Sequence, residues 1–197
     1  MPSFDHIQSY MAGVWHLMNG RPEGVRSLDL TADGFWNSFF AVVIALPALF
    51  VGWVSLANEI EGGGAFGMRV TILFRLAIIY LATWIGPLLL FAAVAGPAGL
   101  GSRFVPYVVA SNWASALFVW FMLPPSLLSL VWPAGAEFAS ALSLGFLMVT
   151  LVFSWRLTNS VIAMGPAVAT AVFAGMFIAS LAILLTLQPL FGLSLPA

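Results

Sequence analysis

Five long apolar runs follow one another along this chain, separated by short polar or proline- and glycine-bearing interruptions. They extend from about Phe35 to Ala57, Arg69 to Ala95, Phe104 to Leu123, Phe138 to Trp155, and from the end of a polar turn to about Leu185. A helix needs roughly 20 predominantly apolar residues to cross the hydrocarbon of a bilayer, with about 17 as the lower limit. The first three runs meet that length, the fourth lies near the minimum, and the fifth exceeds it. The interruptions are Asn58 to Gly67 with its triple glycine, Gly96 to Ser102 around Pro97, the Pro124-Pro125 pair, and a tight polar turn from Arg156 to Ser160. Ser126 to Pro133 is apolar but too short to cross, and reads as an interfacial turn, with a partly re-entrant one as the alternative.

A different period precedes the runs. Phe4, Ile7, Met11, Val14, Trp15 and Met18 fall on one arc of a helix, while Asp5, His6, Ser9, His16 and Asn19 take the remainder. This predicts an amphipathic helix that lies in the headgroup region or covers one end of the bundle. Gly20-Arg21-Pro22 ends it, Pro22 opens a short turn through Val25 and Leu28, and Thr31 or Asp33 offers an N-cap to the first span. In that span Pro47 marks a break, and Trp36 and Trp53 read as interfacial anchors at its two ends.

Composition sharpens the class. Of 197 residues, 62% are hydrophobic and only 7% charged, with a mean hydropathy of +1.07. Soluble domains carry about 25% charged residues, so this chain has far more apolar surface than a soluble core hides. The expected fold is all-α: a polytopic transmembrane bundle of about five spans preceded by an N-terminal interfacial amphipathic helix. Residues 1–34 form the cytoplasmic or interfacial segment, 35–190 the transmembrane domain and 191–197 a short tail. The first run reads as an uncleaved signal anchor. With six Arg and no Lys, there is no basic patch for nucleic acid. The absence of Cys removes thiolate catalysis and Cys-ligated metals.

Arginine placement predicts orientation. With the N-terminus inside, Arg21, Arg26, Arg103 and Arg156 fall on the cytoplasmic side and Arg69 on the other. Arg75 stands apart, as the one ionisable side chain within a membrane-length run. On the second span Thr71, Arg75, Ala82, Gly86, Leu89 and Ala93 share a small and polar face, with Leu73, Phe74, Ala77, Leu81, Trp84, Leu88 and Phe91 opposite. Small faces pack and bulky ones meet lipid, so Arg75 is expected to point into the bundle. Its charge requires a partner, and Glu59, Glu61 or Glu137 on the outer side are the candidates.

Catalytic patterns are missing. No His or carboxylate lies within a span, and His6 and His16 are too far apart on their helix to share a metal. We expect no enzyme activity, no catalytic residue, no cofactor and no metal. Asn112 in the third span reads as an interhelical hydrogen-bonding residue, or as a solute contact. On the last helix Ala163, Ala167, Ala171, Gly175 and Ala179 recur every four residues, a ladder for close helix packing, with an internal partner favoured. Pro47, Pro87 and Pro166 interrupt helices.

A cytoplasmic N-terminal segment followed by five closely spaced apolar helices, with almost no extramembrane domain, resembles the Yip family of five-span membrane proteins. The Asp-Leu-Tyr-Gly-Pro-type sequence of the eukaryotic members is missing, with Leu28-Asp29-Leu30 and Ile85-Gly86-Pro87 only faint echoes of it, so the resemblance is one of architecture. It implies a non-enzymatic, membrane-organising or adaptor-like protein. The Ala, Gly, Val and Arg bias without Lys points to a GC-rich bacterial genome, hence a bacterial inner membrane. The expected partners are the lipid bilayer and other membrane-protein subunits or a second copy. The alternative is a small anion or solute transporter or channel using Arg75.

Overall fold

The structure is a computed structural model that describes residues 2–61, 66–132 and 135–193. Every regular element in it is helical: α1 (Phe4–Met18), a 3-10 turn (Pro22–Ser27), α2 (Ala32–Ser38), α3 (Ala41–Glu61), α4 (Phe66–Ala95), α5 (Gly101–Phe121), α6 (Leu123–Val131), α7 (Ala136–Ile162) and α8 (Pro166–Leu190). Five stretches are long and apolar enough to cross a membrane: Ala32–Ile60, Phe66–Ala95, Gly101–Val131, Glu137–Ile162 and Pro166–Leu190. The chain is an integral membrane protein built as an all-α bundle.

Helix ends differ from expectation in several places. The first span breaks at Phe39 and Phe40, and Pro47 lies inside α3. Pro124 and Pro125 do not end the third run, because they occupy the first turn of α6, where backbone N–H groups have no helical partner anyway. α5 and α6 therefore form one long stretch, and α6 leans on α3 and α7. Of the short segment read as interfacial or re-entrant, Ser126 to Val131 continues this helix, and Pro133 lies outside the described residues. Arg156 to Ser160 is the last part of α7 rather than a turn; its polar groups bond Asn19, Ser154 and Leu17 carbonyls. The turn follows at Ala163, whose φ of 51° is left-handed, and Gly165 at 94°, and Pro166 opens α8 instead of interrupting it. Asn58 to Glu61 likewise extend α3, while the triple glycine falls outside the described residues.

Three helices stop in the same way. Gly20, Gly99 and Gly192, at φ of 76°, 70° and 65°, follow the ends of α1, α4 and α8. After each, the next amide reaches back to a carbonyl five residues earlier: Arg21 to His16, Leu100 to Ala95 and Leu193 to Gln188. This is the Schellman closure, which needs a residue free to be left-handed.

The main core lies where α1 crosses α5 and α7. Val14, Leu17 and Met18 are fully buried there with Trp113, Val108, Val109 and Ile162. Burying each of the three α1 side chains is worth about 1.5–3 kcal/mol relative to water. The buried arc of α1 is Tyr10, Gly13, Val14, Leu17 and Met18, turned from the predicted one, so that Phe4 and Trp15 are exposed. The turn brings Gly13 against Gly24 of the 3-10 segment, where a Cβ on either would strike the other's backbone oxygen.

α4 also sits differently. Its buried positions are Ile72, Ile79, Pro87, Leu88, Phe91 and Ala95, so Leu88 and Phe91, expected toward lipid, face inward, whereas Leu89 and Ala93 are exposed. The cause is that α4 is held on two sides. Gly86 meets Ile183 and the Thr83 carbonyl accepts from Ser180 of α8, while Phe91 stacks edge-on to Tyr107 of α5 at 5.1 Å. Gly86 of the small face thus meets α8, and Leu88 and Phe91 of the bulky one fill the core, while Phe74 and Leu81 stay exposed as expected.

Candidate functional site

Thr31 caps α2, its Oγ1 accepting from the Gly34 amide at 3.1 Å, and thereby directs Ser38 into the bundle. There Asn112, wholly buried on α5, donates from Nδ2 to Ser38 Oγ at 2.8 Å and accepts from Trp84 Nε1 of α4 at 3.1 Å. Ser38 passes its own hydrogen to the Phe35 carbonyl at 2.7 Å. One amide thus ties three helices together, which is what a buried Asn between helices does when every group finds a partner.

Arg75 is far from this network. It is half-buried, and its Nη1 donates to the Phe191 carbonyl at 2.8 Å. Phe191 is the C-cap of α8, where unpaired carbonyls and the negative end of the helix dipole gather. Among the described residues Arg75 forms no ion pair with Glu59 or Glu137, both of which are exposed; the Glu61 side chain lies outside them. Arg156 acts similarly but more loosely, donating from Nη2 to the carbonyl of Asn19, the C-cap of α1, at 3.4 Å.

The ladder on α8 splits. Ala163 belongs to the turn, Ala179 is half-buried, and Ala167, Ala171 and Gly175 are exposed. A Cβ at Gly175 would have nothing within 4 Å. These three lie on the side of α8 away from its buried Ala169 and Val172, so the favoured internal partner is not what they meet. Trp36 is exposed, as an anchor would be, but Trp53 turns inward onto Tyr80 at 5.9 Å.

Two recesses complete the picture. A cavity of about 480 Å³ lies among α4, α5, α7 and α8, lined by aromatic rings such as Tyr80, Trp84 and Phe118 and by serine and threonine hydroxyls. Neither Arg75 nor Asn112 lines it. Its sequence signal was the hydroxyls of Ser111 and Ser115 on α5 and Ser154 and Thr158 on α7, each pair four residues apart and so on one helix face. A second, polar recess beside α1 collects His6, Tyr10, Arg26, Asp29 and Asn37. Burial, and then the Asp29 charge, push the Tyr10 hydroxyl above its ordinary pKa. The Thr31 hydroxyl and amide, bonding Oδ1 at 2.6 and 3.0 Å, hold Asp29 below the ordinary carboxylate value. Among the described residues no three His, Asp or Glu side chains gather closely enough to share a metal.

Comparison with protein-family models, curated proteins and solved structures finds no match to this chain.

Proposed function

We propose that this chain is a non-enzymatic integral membrane protein of a bacterial inner membrane, N-terminus in the cytoplasm, acting through helix contacts as an adaptor or accessory subunit. One observation carries the reading: Ala167, Ala171 and Gly175 present a small-residue face on α8 that no part of the described chain covers. Small residues at this spacing let a second transmembrane helix approach backbone to backbone, which is the main source of helix affinity in lipid. The five-span layout that resembles the Yip family supports the same role. The occupant is a transmembrane helix of a partner subunit or of a second copy.

The test is native-gel sizing of the protein purified at native expression in mild detergent, with mass spectrometry of what accompanies it. A stoichiometric assembly that Gly175→Leu and Ala171→Leu dissolve, while the chain itself stays folded, supports the reading. A wild-type chain that runs alone sinks it. The competing solute-carrier reading draws on the cavity among α4, α5, α7 and α8, although Arg75, its assigned anion contact, does not line that space.

A further inference from the structure

We infer that the cavity among α4, α5, α7 and α8 is a binding site for an uncharged, membrane-soluble ligand: a flat or flexible apolar body carrying a hydroxyl. Its size, about 480 Å³, falls within the range of small-molecule sites, which is roughly 300–1,000 Å³. Phe177 and Leu181 of α8 line it and are also exposed, so it communicates with the apolar exterior of the bundle. A side-chain bond between α7 and α8, Trp155 Nε1 to Thr170 Oγ1 at 2.9 Å, sits toward the α7–α8 turn, and the lining reaches from there to Leu184. A ligand dissolved in the bilayer has a path in past α8 without crossing water.

The wall decides the ligand's charge and polarity. Among the described residues no Asp, Glu, Lys, Arg or His lines the cavity, so a carboxylate, phosphate or ammonium would be desolvated there with none of them to pair it. Aromatic rings supply broad apolar faces, Phe173 and Phe177 being stacked at 6.3 Å. The hydroxyls supply the hydrogen-bonding groups. Thr83 gives its hydrogen to the Ile79 carbonyl, Ser111 to Val108, Ser115 to Ser111, Thr158 to Ser154 and Ser180 to Thr83. Their oxygens keep lone pairs and accept, while the hydroxyls of Ser154, Tyr80 and Tyr107, which also line the cavity, keep hydrogens to donate. The wall therefore suits a ligand with a hydroxyl, which both donates and accepts, over a bare hydrocarbon. This site stands apart from the outward face of α8 and does not depend on what the protein assembles with.

The experiment is saturation binding of tritiated farnesol to the protein in lipid nanodiscs. Unlabelled farnesane, which is the hydrocarbon without the hydroxyl, and palmitate, which is charged, serve as competitors. Saturable farnesol binding that both competitors displace at least about 10-fold less well than farnesol is expected, the equivalent of about one good hydrogen bond. The double variant Ser111→Ala with Ser115→Ala should erase most of the preference for farnesol over farnesane while leaving farnesane displacement unchanged. Ser115→Leu should occupy the space and abolish saturable binding; Ser154→Leu, from the opposite wall, serves where Ser115→Leu does not fold by size exclusion. The inference is overturned if wild type shows no saturable binding, if palmitate or farnesane competes as well as farnesol, or if folded filling variants bind like wild type.

Discussion

Arg75 and Phe191, 116 residues apart, are joined by one 2.8 Å bond from the Arg75 Nη1 to the Phe191 carbonyl, and this bond gives a membrane-span arginine a partner that is not a carboxylate. The carbonyl belongs to a helix end that already closes through Gly192 and Leu193. The guanidinium adds a donor for an orphan acceptor and a positive charge at the negative end of the dipole. Arg75→Leu is expected to fray α8 locally. Hydrogen exchange should accelerate at residues 187–193, with a loss of about 0.5–1.5 kcal/mol in local opening energy. Gly192→Ala, which forces a Cβ at φ 65°, should cost about 1–2 kcal/mol at the same place. If Arg75→Leu leaves exchange in this segment unchanged, the capping role is wrong.

Gly13 and Gly24 make the tightest crossing outside the spans. A methyl on Gly24 would press into the Gly13 carbonyl and come within 3.0 Å of the His16 Cβ, so neither side has a flexible end to yield. Gly24→Ala should lower stability by about 1–3 kcal/mol, the usual cost of overpacking. Gly175→Ala and Gly145→Ala, where nothing lies within 4 Å, should leave the monomer's thermal midpoint close to wild type. Thermal unfolding in detergent of the three variants side by side decides this, and equal losses would show that the Gly13–Gly24 crossing does not hold α1 in place.

How far residues alone could lead is visible in these same positions. Apolar run length located all five crossing helices, because a bilayer imposes a minimum length that composition reveals. Thr31 as the α2 cap and Pro22 as the start of a short turn were also legible, since both effects act within four residues. What failed was rotation. The buried arcs of α1 and α4 are set by neighbours such as Gly24, Tyr107 and Ile183, whose placement is tertiary. Polarity misled at Arg156 to Ser160, where groups that looked like a turn satisfy α1 instead. The Gly192 closure has a local signal, a glycine just past the last apolar turn, whereas the cavity exists only once four helices are placed together.

Asn112 should be costly to replace by a residue of similar size. Asn112→Leu leaves Trp84 Nε1, now bonded at 3.1 Å, without its acceptor at the wholly buried Asn112 position. A loss of about 1–3 kcal/mol is expected in unfolding titrations. Adding Trp84→Phe removes the orphaned donor, so the double variant should be less destabilised than the sum of its singles. Strict additivity would mean that the two residues do not share a bond.

Asp29 predicts a pH dependence with a definite sign. Two bonds from Thr31 favour its charged form and hold its folded pKa below the ordinary value of 3.8. A carboxylate depressed on folding contributes stability that is complete well above the unfolded value and is lost as pH falls through the folded one. The contribution therefore persists at neutral pH and disappears below about 3.8, as protonation removes the acceptor that positions Thr31, the cap of α2. Asp29→Asn keeps an Oδ1 acceptor without a titrating charge, so its stability should vary less with pH in this acid range than that of wild type. Thermal midpoints of both proteins, measured stepwise from neutral pH into the acid range in the same detergent, test this. Curves that run parallel through the whole range would show that Asp29 and Thr31 are not coupled in the folded protein.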